Sequence, residues 1–303
     1  MPKYVWFNGS IVEWENAKVH VYVHALHYGT AVFEGIRGYY SDGVVKIFRL
    51  RDHLKRLMNS AKILYMNIPY TIDELEKASV EITRENDYRE NVYIRPIAFR
   101  GLGEFGVKGL KSSIEVAILA IPLGKYLKSE KVRCIISSWR RPPNDVLPVE
   151  AKASGIYLSS NLAGIEAALS GYDEAIFLDY DGYVCEGSGE NIFIVKNKVL
   201  ITPPVYSSIL EGITRNTVIT LARDLGYTVV ERRISRGELY TCDEAFFTGT
   251  AAEITPIVEV DHRVIGNGDV GEVTDKISNL FREVVSGHVE KYVSWITEVK
   301  PKL

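Results

Sequence analysis

Residues 150–164 read EAKASGIYLSSNLAG and place one lysine, Lys152, among alanines, serines and glycines. A loop lysine is ordinarily a solvated one, so its chemistry depends on what else the chain carries. Three later segments bear on it. In residues 186–193, EGSGENIF, Glu186 leaves a strand-like run, and the chain crosses a glycine-bearing turn into a second run. A carboxylate buried there is costly unless it faces a cation, either a protonated ring nitrogen or an arginine. In residues 210–215, LEGITR, Gly212, Ile213 and Thr214 open a helical pattern, and the amides and dipole at a helix start suit an anion. In residues 248–252, TGTAA, a strand ends in small residues whose amides and hydroxyls suit a phosphate or carboxylate.

Each of these segments is common by itself. Together they supply an amine nucleophile, an acid suited to a ring cation and two NH-rich turns suited to anions. Those are the fittings for pyridoxal 5′-phosphate, whose aldehyde needs a lysine, whose pyridine nitrogen needs an acid and whose phosphate needs a cradle. The small neighbours of Lys152 then let a flat cofactor lie close to the backbone.

The elements that must position these residues are legible in outline. KYVWFNG and AKVHVYV alternate as strands. Residues 51–65 repeat apolar side chains at helical spacing, and Thr71 with Glu74 forms a capping box that opens a second helix. NVYIRPIAFRG and SSIEVAILAIP return to strands. The expected organisation is a small α+β domain over 1–121, a linker over 122–131 and a larger, strand-rich domain over 132–303. In the second part, EAIFLDYDGYVCEG and ENIFIVKNKVLIT predict hairpins at their DG and KNK turns. ITRNTVITLARDLG predicts a helix stopped by Gly226. The order of elements is not the βαβ rhythm of a doubly wound nucleotide fold, and no glycine-rich phosphate loop occurs where such a fold needs one.

Composition excludes other classes. The 303 residues are 46% hydrophobic and 25% charged, with a formal net charge of −3, an ordinary globular balance with no basic excess for nucleic acid. No apolar run reaches the roughly 18 residues of a membrane span, and the N-terminus lacks a signal-peptide core, so a cytoplasmic protein with no membrane partner is expected. Cys134, Cys185 and Cys242 are widely spaced and read as buried apolar residues rather than a disulfide frame. His20, His24 and His27 read as strand histidines, without the acidic or thiol companions of a zinc site.

Seven segments, HALHYGTAVFEGIR (24–37), FRLRDHLKRL (48–57), YIRP (93–96), AKASGIYLSS, EGSGENIF, LEGITR and TGTAAEITP (248–256), resemble in this order the branched-chain amino acid aminotransferases. These belong to the D-amino-acid-aminotransferase-like class, fold type IV, and the resemblance spans nearly the whole chain. It implies an α+β fold with a small N-terminal α/β domain and a larger pseudo-barrel domain. It implies Lys152 as the catalytic, cofactor-bearing lysine, Glu186 on the pyridine nitrogen and Tyr157 on the phenolic oxygen. Arg51, Ile213, Thr214 and Thr250, with Gly212 and Gly249, would hold the phosphate. The substrate would lie among Tyr28, Phe33, Tyr93, Val107 and Tyr126, with Gly35 giving room. The backbone of Thr250 and Ala251 would take the α-carboxylate, and Arg95 with Arg37 the distal one. The loop over 105–113 would reach a neighbouring subunit, so the expected assembly is at least a dimer, up to a hexamer.

The activity implied is ping-pong transfer of the amino group of L-valine, L-leucine or L-isoleucine to 2-oxoglutarate, giving L-glutamate. Rival readings in the same fold are a D-amino acid aminotransferase or an aminodeoxychorismate lyase, which would keep Lys152 and Glu186 but lack the EGIR and YIRP segments. A catalytically silent cofactor- or amino-acid-binding regulator would lose the lysine or the acid.

Overall fold

The computed structural model describes residues 2–124 and 129–302. The chain forms two compact units: Met1–Gly124 with Ala151–Gly155 and Glu283–Leu303, and Lys125–Glu150 with Ile156–Arg282. The sequence reading placed one crossing, at 122–131. The segment around Lys152 and the C-terminal 21 residues instead return to the first unit. Long-range strand pairing draws them back, and no local pattern announces it.

In the first unit, β1 (Tyr4–Phe7) and β2 (Ser10–Glu13) form a hairpin whose turn residues Asn8 and Gly9 both have positive φ, the demand of a two-residue turn. There follow α1 (His24–Tyr28), β3 (Ala31–Phe33), β4 (Ile36–Ser41), β5 (Val44–Phe48), α2 (Leu50–Ile63), α3 (Ile72–Glu85), β6 (Val92–Arg100) and β7 (Ile114–Pro122). The sheet order is the C-terminal strand Ile296–Val299, then β5, β4, β6, β7, β1 and β2, with β3 also on β6. Residues 17–23, read as a strand, form none: Val19, Val21 and Tyr22 are exposed, and alternation without a neighbouring strand makes no sheet. His24 and His27 accordingly sit on α1 rather than on a strand.

The pleat of β6 decides what the sheet offers. Val92, Ile94 and Ala98 are fully buried, on the side where α2 and α3 pack through Leu54, Leu57, Leu75 and Ile82. Tyr93, Arg95 and Ile97, of opposite parity, are half-buried. Their partners across the ladder are Arg37, Leu119 and Phe33 respectively, and directly paired residues share a face.

The second unit contains β8 (Val132–Arg140), α4 (Tyr157–Leu169), β9 (Glu174–Leu178), β10 (Val184–Gly187), β11 (Asn191–Lys196), β12 (Val199–Thr202), α5 (Ile213–Asp224), β13 (Val229–Glu231), α6 (Arg236–Tyr240), β14 (Glu244–Gly249), β15 (Glu253–Val260) and β16 (Arg263–Val264). Its strands run β10-β9-β8-β15-β14-β11, and β11 pairs back onto β10. The sheet thereby closes into a barrel, with β12 and β13 continuing from β11 and β16 lying on β15. β8 is parallel to both neighbours, and a parallel pair needs a crossover. Between β8 and β9 that crossover contains α4, a helix the sequence reading did not assign. Residues of one parity, among them Ile136, Ile176, Val184, Ile192 and Phe247, pack into one apolar cluster. Ala175, Phe177 and Cys185, of the other parity, pack with Ala163 and Ala167 of α4. All three cysteines are buried free thiols. Among the described residues no helix is long and apolar enough to cross a membrane.

The capping box forms as read: Thr71 Oγ1 accepts from the Glu74 amide at 3.3 Å, and the Thr71 amide donates to Glu74 Oε2 at 2.7 Å. Thr71→Ala should lower stability by about 1 kcal/mol, measurable as a shift in the urea midpoint.

Candidate active site

In the first unit the polar chemistry collects on the half-buried face of β6. The Arg95 guanidinium lies 4.6 Å from the centre of the Phe33 ring and 5.1 Å from that of Tyr93. One of its terminal nitrogens donates to the Tyr93 hydroxyl at 2.7 Å. Lys152 Nζ lies 5.1 Å from the same Phe33 ring centre, so one aromatic ring serves two cations. Gly35 belongs to this group because a Cβ there would overlap the Tyr93 hydroxyl. Arg37 is buried, and donates to the Gly124 carbonyl at 2.9 Å.

The backbone of Lys152 is fixed on both sides. Its amide donates to Ser60 Oγ of α2 at 3.0 Å, and its carbonyl accepts from the Phe33 amide at 3.0 Å. The small residues around it have a packing role here: Ala151 and Ala153 are buried. The Gly155 amide donates to the Gly29 carbonyl at 3.1 Å, and a Cβ on Gly29 would come within 2.9 Å of Gly155 Cα. Backbone meets backbone, which larger side chains would prevent.

Arg51 requires a correction. Its side chain is 51% exposed and pairs with Asp73 and Glu76 of α3, an outward position with no link to Lys152. The inward cation of the same helix is Arg56, roughly 140° further round at 100° per residue. Arg56 grips the fully buried Glu34 with two nitrogens, at 2.7 and 2.9 Å, and His53 Nδ1 lies 2.7 Å from Glu34 Oε2. The signal was available in the periodicity: His53, Leu57 and Ser60 are buried, and Arg56 shares their side.

Burial by itself would raise Glu34, but the Arg56 charge and the hydrogen bonds from Arg56 and His53 outweigh it and hold the carboxyl well below its ordinary range. Burial is also the largest influence on His53, pushing it below its ordinary value; Glu34 opposes this while Arg56 and Lys152 reinforce it. The imidazole is therefore neutral at pH 7, with its proton on the nitrogen facing Glu34.

In the second unit, Glu186 lies at the end of β10 with 6% of its side chain exposed, and Arg141 Nε is 2.8 Å from its Oε1. Asn191 Nδ2 at 3.3 Å and the Leu210 amide at 3.1 Å donate to Oε2. Asn191 also donates to the Leu210 carbonyl at 2.8 Å, which ties the acid to the turn leading into α5. The N-cap of α5 is Gly212, which offers no side-chain acceptor, and a Cβ on it would overlap Asn191 Oδ1. Ile213 and Thr214 form the first turn. Thr248, on the strand next to Asn191 and paired with it, is buried, and its Oγ1 has no hydrogen-bond partner among the described residues. Gly249 ends β14, and Thr250 and Ala251 follow in a turn. Tyr157 opens α4, half-buried.

Of the remaining expected residues, Tyr28 stacks near His24, 4.5 Å between ring centres. His24 Nε2 lies 2.8 Å from the Gly106 carbonyl, in the loop that carries the exposed Val107. Tyr126 lies outside the described residues.

A family model, "Amino-transferase class IV", matches residues 31–260. The chain belongs to this family. It is 46% identical over 303 residues to a probable branched-chain-amino-acid aminotransferase of Aquifex aeolicus, covering 99% of this chain and 97% of that protein. It is 47% identical over 301 residues to the branched-chain-amino-acid aminotransferase of Escherichia coli K12, covering 98% and 97%. Among solved structures, a branched-chain aminotransferase from Thermoproteus uzoniensis with norvaline superposes at a TM-score of 0.96 with 52% identity, over 99% of this chain and 100% of that one. The branched-chain amino acid aminotransferase from Thermobaculum terrenum in its PLP form gives 0.94 and 43%, over 98% of both chains. The fold is that of the fold type IV aminotransferases, as the resemblance implied.

The residues of this class IV aminotransferase fit the cofactor of its family. Gly212, whose missing side chain lets Asn191 Oδ1 pack against the turn into α5, offers backbone rather than a side chain at the helix start, Thr248 keeps an unspent buried hydroxyl, and Glu186 is a buried acid in reach of donors. Both shifts in the Glu34 network are depressions from the ordinary values of 4.5 and 6.5. The stability they contribute is thus present above those values and lost as pH falls through the folded ones. Stability from urea unfolding should decline as pH drops below about 6.5. Glu34→Gln, which strips Arg56 of its counter-charge, should lower stability at pH 7 by about 3–5 kcal/mol, and an unchanged midpoint would refute the pairing.

Proposed function

We propose that the chain is a pyridoxal 5′-phosphate-dependent aminotransferase that moves the amino group of L-valine, L-leucine and L-isoleucine to 2-oxoglutarate. The observation that carries this reading is the face of β6, where Phe33 and Tyr93 give an apolar surface and Arg95 sets a cation into it. Arg95 Nε has no hydrogen-bond partner among the described residues, so the guanidinium keeps capacity for a carboxylate. An aliphatic side chain rests on the rings, and the γ-carboxylate of glutamate or 2-oxoglutarate reaches the arginine. Apolar contacts discriminate by only about 1–3 kcal/mol per methylene, so all three branched substrates are accepted and specificity among aliphatic side chains is broad.

When bound, the cofactor supplies the aldehyde that exchanges with the amino group and the ring that makes the Cα proton acidic. Lys152 contributes a flexible amine on a fixed backbone. It holds the cofactor between turnovers and carries the Cα proton during them. Glu186 keeps the ring nitrogen protonated, and Tyr157 orients the phenolic edge. The turn at Gly212–Thr214 and the segment Gly249–Ala251 hold the phosphate and the α-carboxylate, and Arg56 replaces Arg51 as the cation on the phosphate side. Both acid and lysine are present, which disfavours a silent binding regulator.

The protein works as a homo-oligomer, at least a dimer, in the cytoplasm. Support for association comes from α1 and the 101–113 loop, where Leu26, Phe105, Val107 and Leu110 are each more than half exposed. Such a surface is uncommon on a monomer.

The test is a half-reaction survey. The cofactor-loaded protein is mixed with single L- and D-amino acids while loss of its visible band is followed. L-valine, L-leucine, L-isoleucine and L-glutamate should bleach it, and bleaching by D-amino acids alone would replace this reading with a D-amino acid aminotransferase. Lys152→Ala should reduce turnover by about 10^4-fold, and parent-like turnover would discard the mechanism. Gly35→Ala, which displaces the Tyr93 hydroxyl and with it Arg95, should lower kcat/KM roughly 10- to 100-fold for both aliphatic and acidic substrates.

A further inference from the structure

Glu186, the proposed cofactor acid, and Arg141 form a deeply buried charge pair in the second unit, with side chains 6% and 5% exposed. Their contact has an unusual form. Arg141 Nε is 2.8 Å from Glu186 Oε1, yet its N–H does not point along that line and makes no aligned hydrogen bond. Charge, rather than a directed bond, holds the two together. Aim comes from elsewhere: Asn191 and the Leu210 amide, both neutral, orient the other oxygen at 3.3 and 3.1 Å.

Arg141 is itself anchored by groups that do not compete for its charge. Its amide donates to the Leu178 carbonyl at 3.0 Å, Nη1 lies 3.5 Å from Ser160 Oγ, and the guanidinium is 5.7 Å from the Phe177 ring centre. The adjoining Cys185 thiol responds to the same charges. Burial raises that thiol first, Glu186 raises it further, Arg141 lowers it and Asp179 raises it. Of the two carboxylates felt by this thiol, Glu186 is the one paired with Arg141, and Asp179 has a donor in the Tyr183 amide at 2.9 Å.

We propose that Arg141 is the resident counter-ion of Glu186, holding the carboxylate ionised and in place before a cofactor ring arrives and sharing it with the ring afterwards. This rests on the reading that Glu186 serves the ring nitrogen. A buried carboxylate that loses a charged partner takes up a proton more readily, and a protonated acid is a poor partner for a pyridinium. Arg141 is therefore a positioning residue: it acts on the cofactor through Glu186.

The experiment follows thermal unfolding of cofactor-stripped and cofactor-loaded protein between about pH 5 and pH 8. It compares the parent with Arg141→Met, Arg141→Lys, Glu186→Gln and the Met/Gln double variant. Without Arg141, the folded pKa of Glu186 rises above its unfolded value, so stability is full at low pH and lost as pH rises. Stripped Arg141→Met should melt roughly 10 °C below the parent near pH 8 and much closer to it near pH 5. Adding Glu186→Gln should remove most of that pH dependence, and Arg141→Lys, which keeps the charge, should restore the parent profile.

Loading with pyridoxal 5′-phosphate should raise the Arg141→Met midpoint by more than the parent's, because a pyridinium supplies a positive charge in place of the one removed. A stripped Arg141→Met with the parent pH profile, or strictly additive single and double shifts, overturns the proposal. If Arg141→Met does not fold, the same comparison is made with Arg141→Gln against Arg141→Lys, and equal pH profiles overturn it. Failure of the underlying reading looks different: Glu186→Gln would bind the cofactor with the parent's affinity and absorbance spectrum.

Discussion

A carboxylate taken out of water has to meet a positive charge, and each unit is organised around one that does. In the first unit Glu34 sits in the short connection between β3 and β4, where its amide donates to the Pro96 carbonyl at 2.8 Å. Its side chain takes two nitrogens of Arg56 and faces one of His53. That pairing pins one side of α2 against β3. From the same helix, Ser60 accepts the Lys152 amide. The lysine's place therefore depends on an ion pair made far from it in sequence. In the second unit Glu186 plays the corresponding part, with Arg141 giving the charge and Asn191 the direction.

What brings these groups together is strand register. A one-residue slip in a sheet moves every side chain to the other face, and the face of β6 holding Tyr93 and Arg95 is useful only because the other holds Val92, Ile94 and Ala98 against α2 and α3. In the barrel, the pairing of β11 with both β10 and β14 sets Glu186 opposite Asn191 and Asn191 opposite Thr248. Glu186 and Asn191, five residues apart in sequence, and the distant Thr248 become neighbours through strand pairing. Closure of the barrel then holds that register, since a strand with partners on both sides has no free edge along which to shift.

Local signals were read well where local energetics decide the structure. Thr71 and Glu74 cap α3, Gly226 follows α5 with a left-handed φ of 84°, and Asn197 and Lys198 make the two-residue turn between β11 and β12. Each is a matter of a few adjacent residues. The failures are of the opposite kind. Residues 17–23 alternate like a strand but meet no partner, and α4 carries Leu158, Ile165 and Leu169 on its exposed side, which blurs its amphipathic pattern. Arg51 and Arg56 both lie in FRLRDHLKRL, and only the helix phase, set by what α2 packs against, separates the outward arginine from the inward one.

The sequence by itself determined the chemical inventory: the amine of Lys152, the acid of Glu186, the aromatic and cationic residues of YIRP, and the glycines at 35 and 212 whose missing side chains leave room. Residue type is a covalent property and survives in any conformation. The tertiary structure alone decided the partners. It set Arg141 beside Glu186 and Arg56 beside Glu34, and it returned residues 151–155 and 283–303 to the first unit. Pairing of that sort is chosen by the cost of an unmatched charge or an unfilled ladder in the folded interior, and that cost does not exist until the chain has left water.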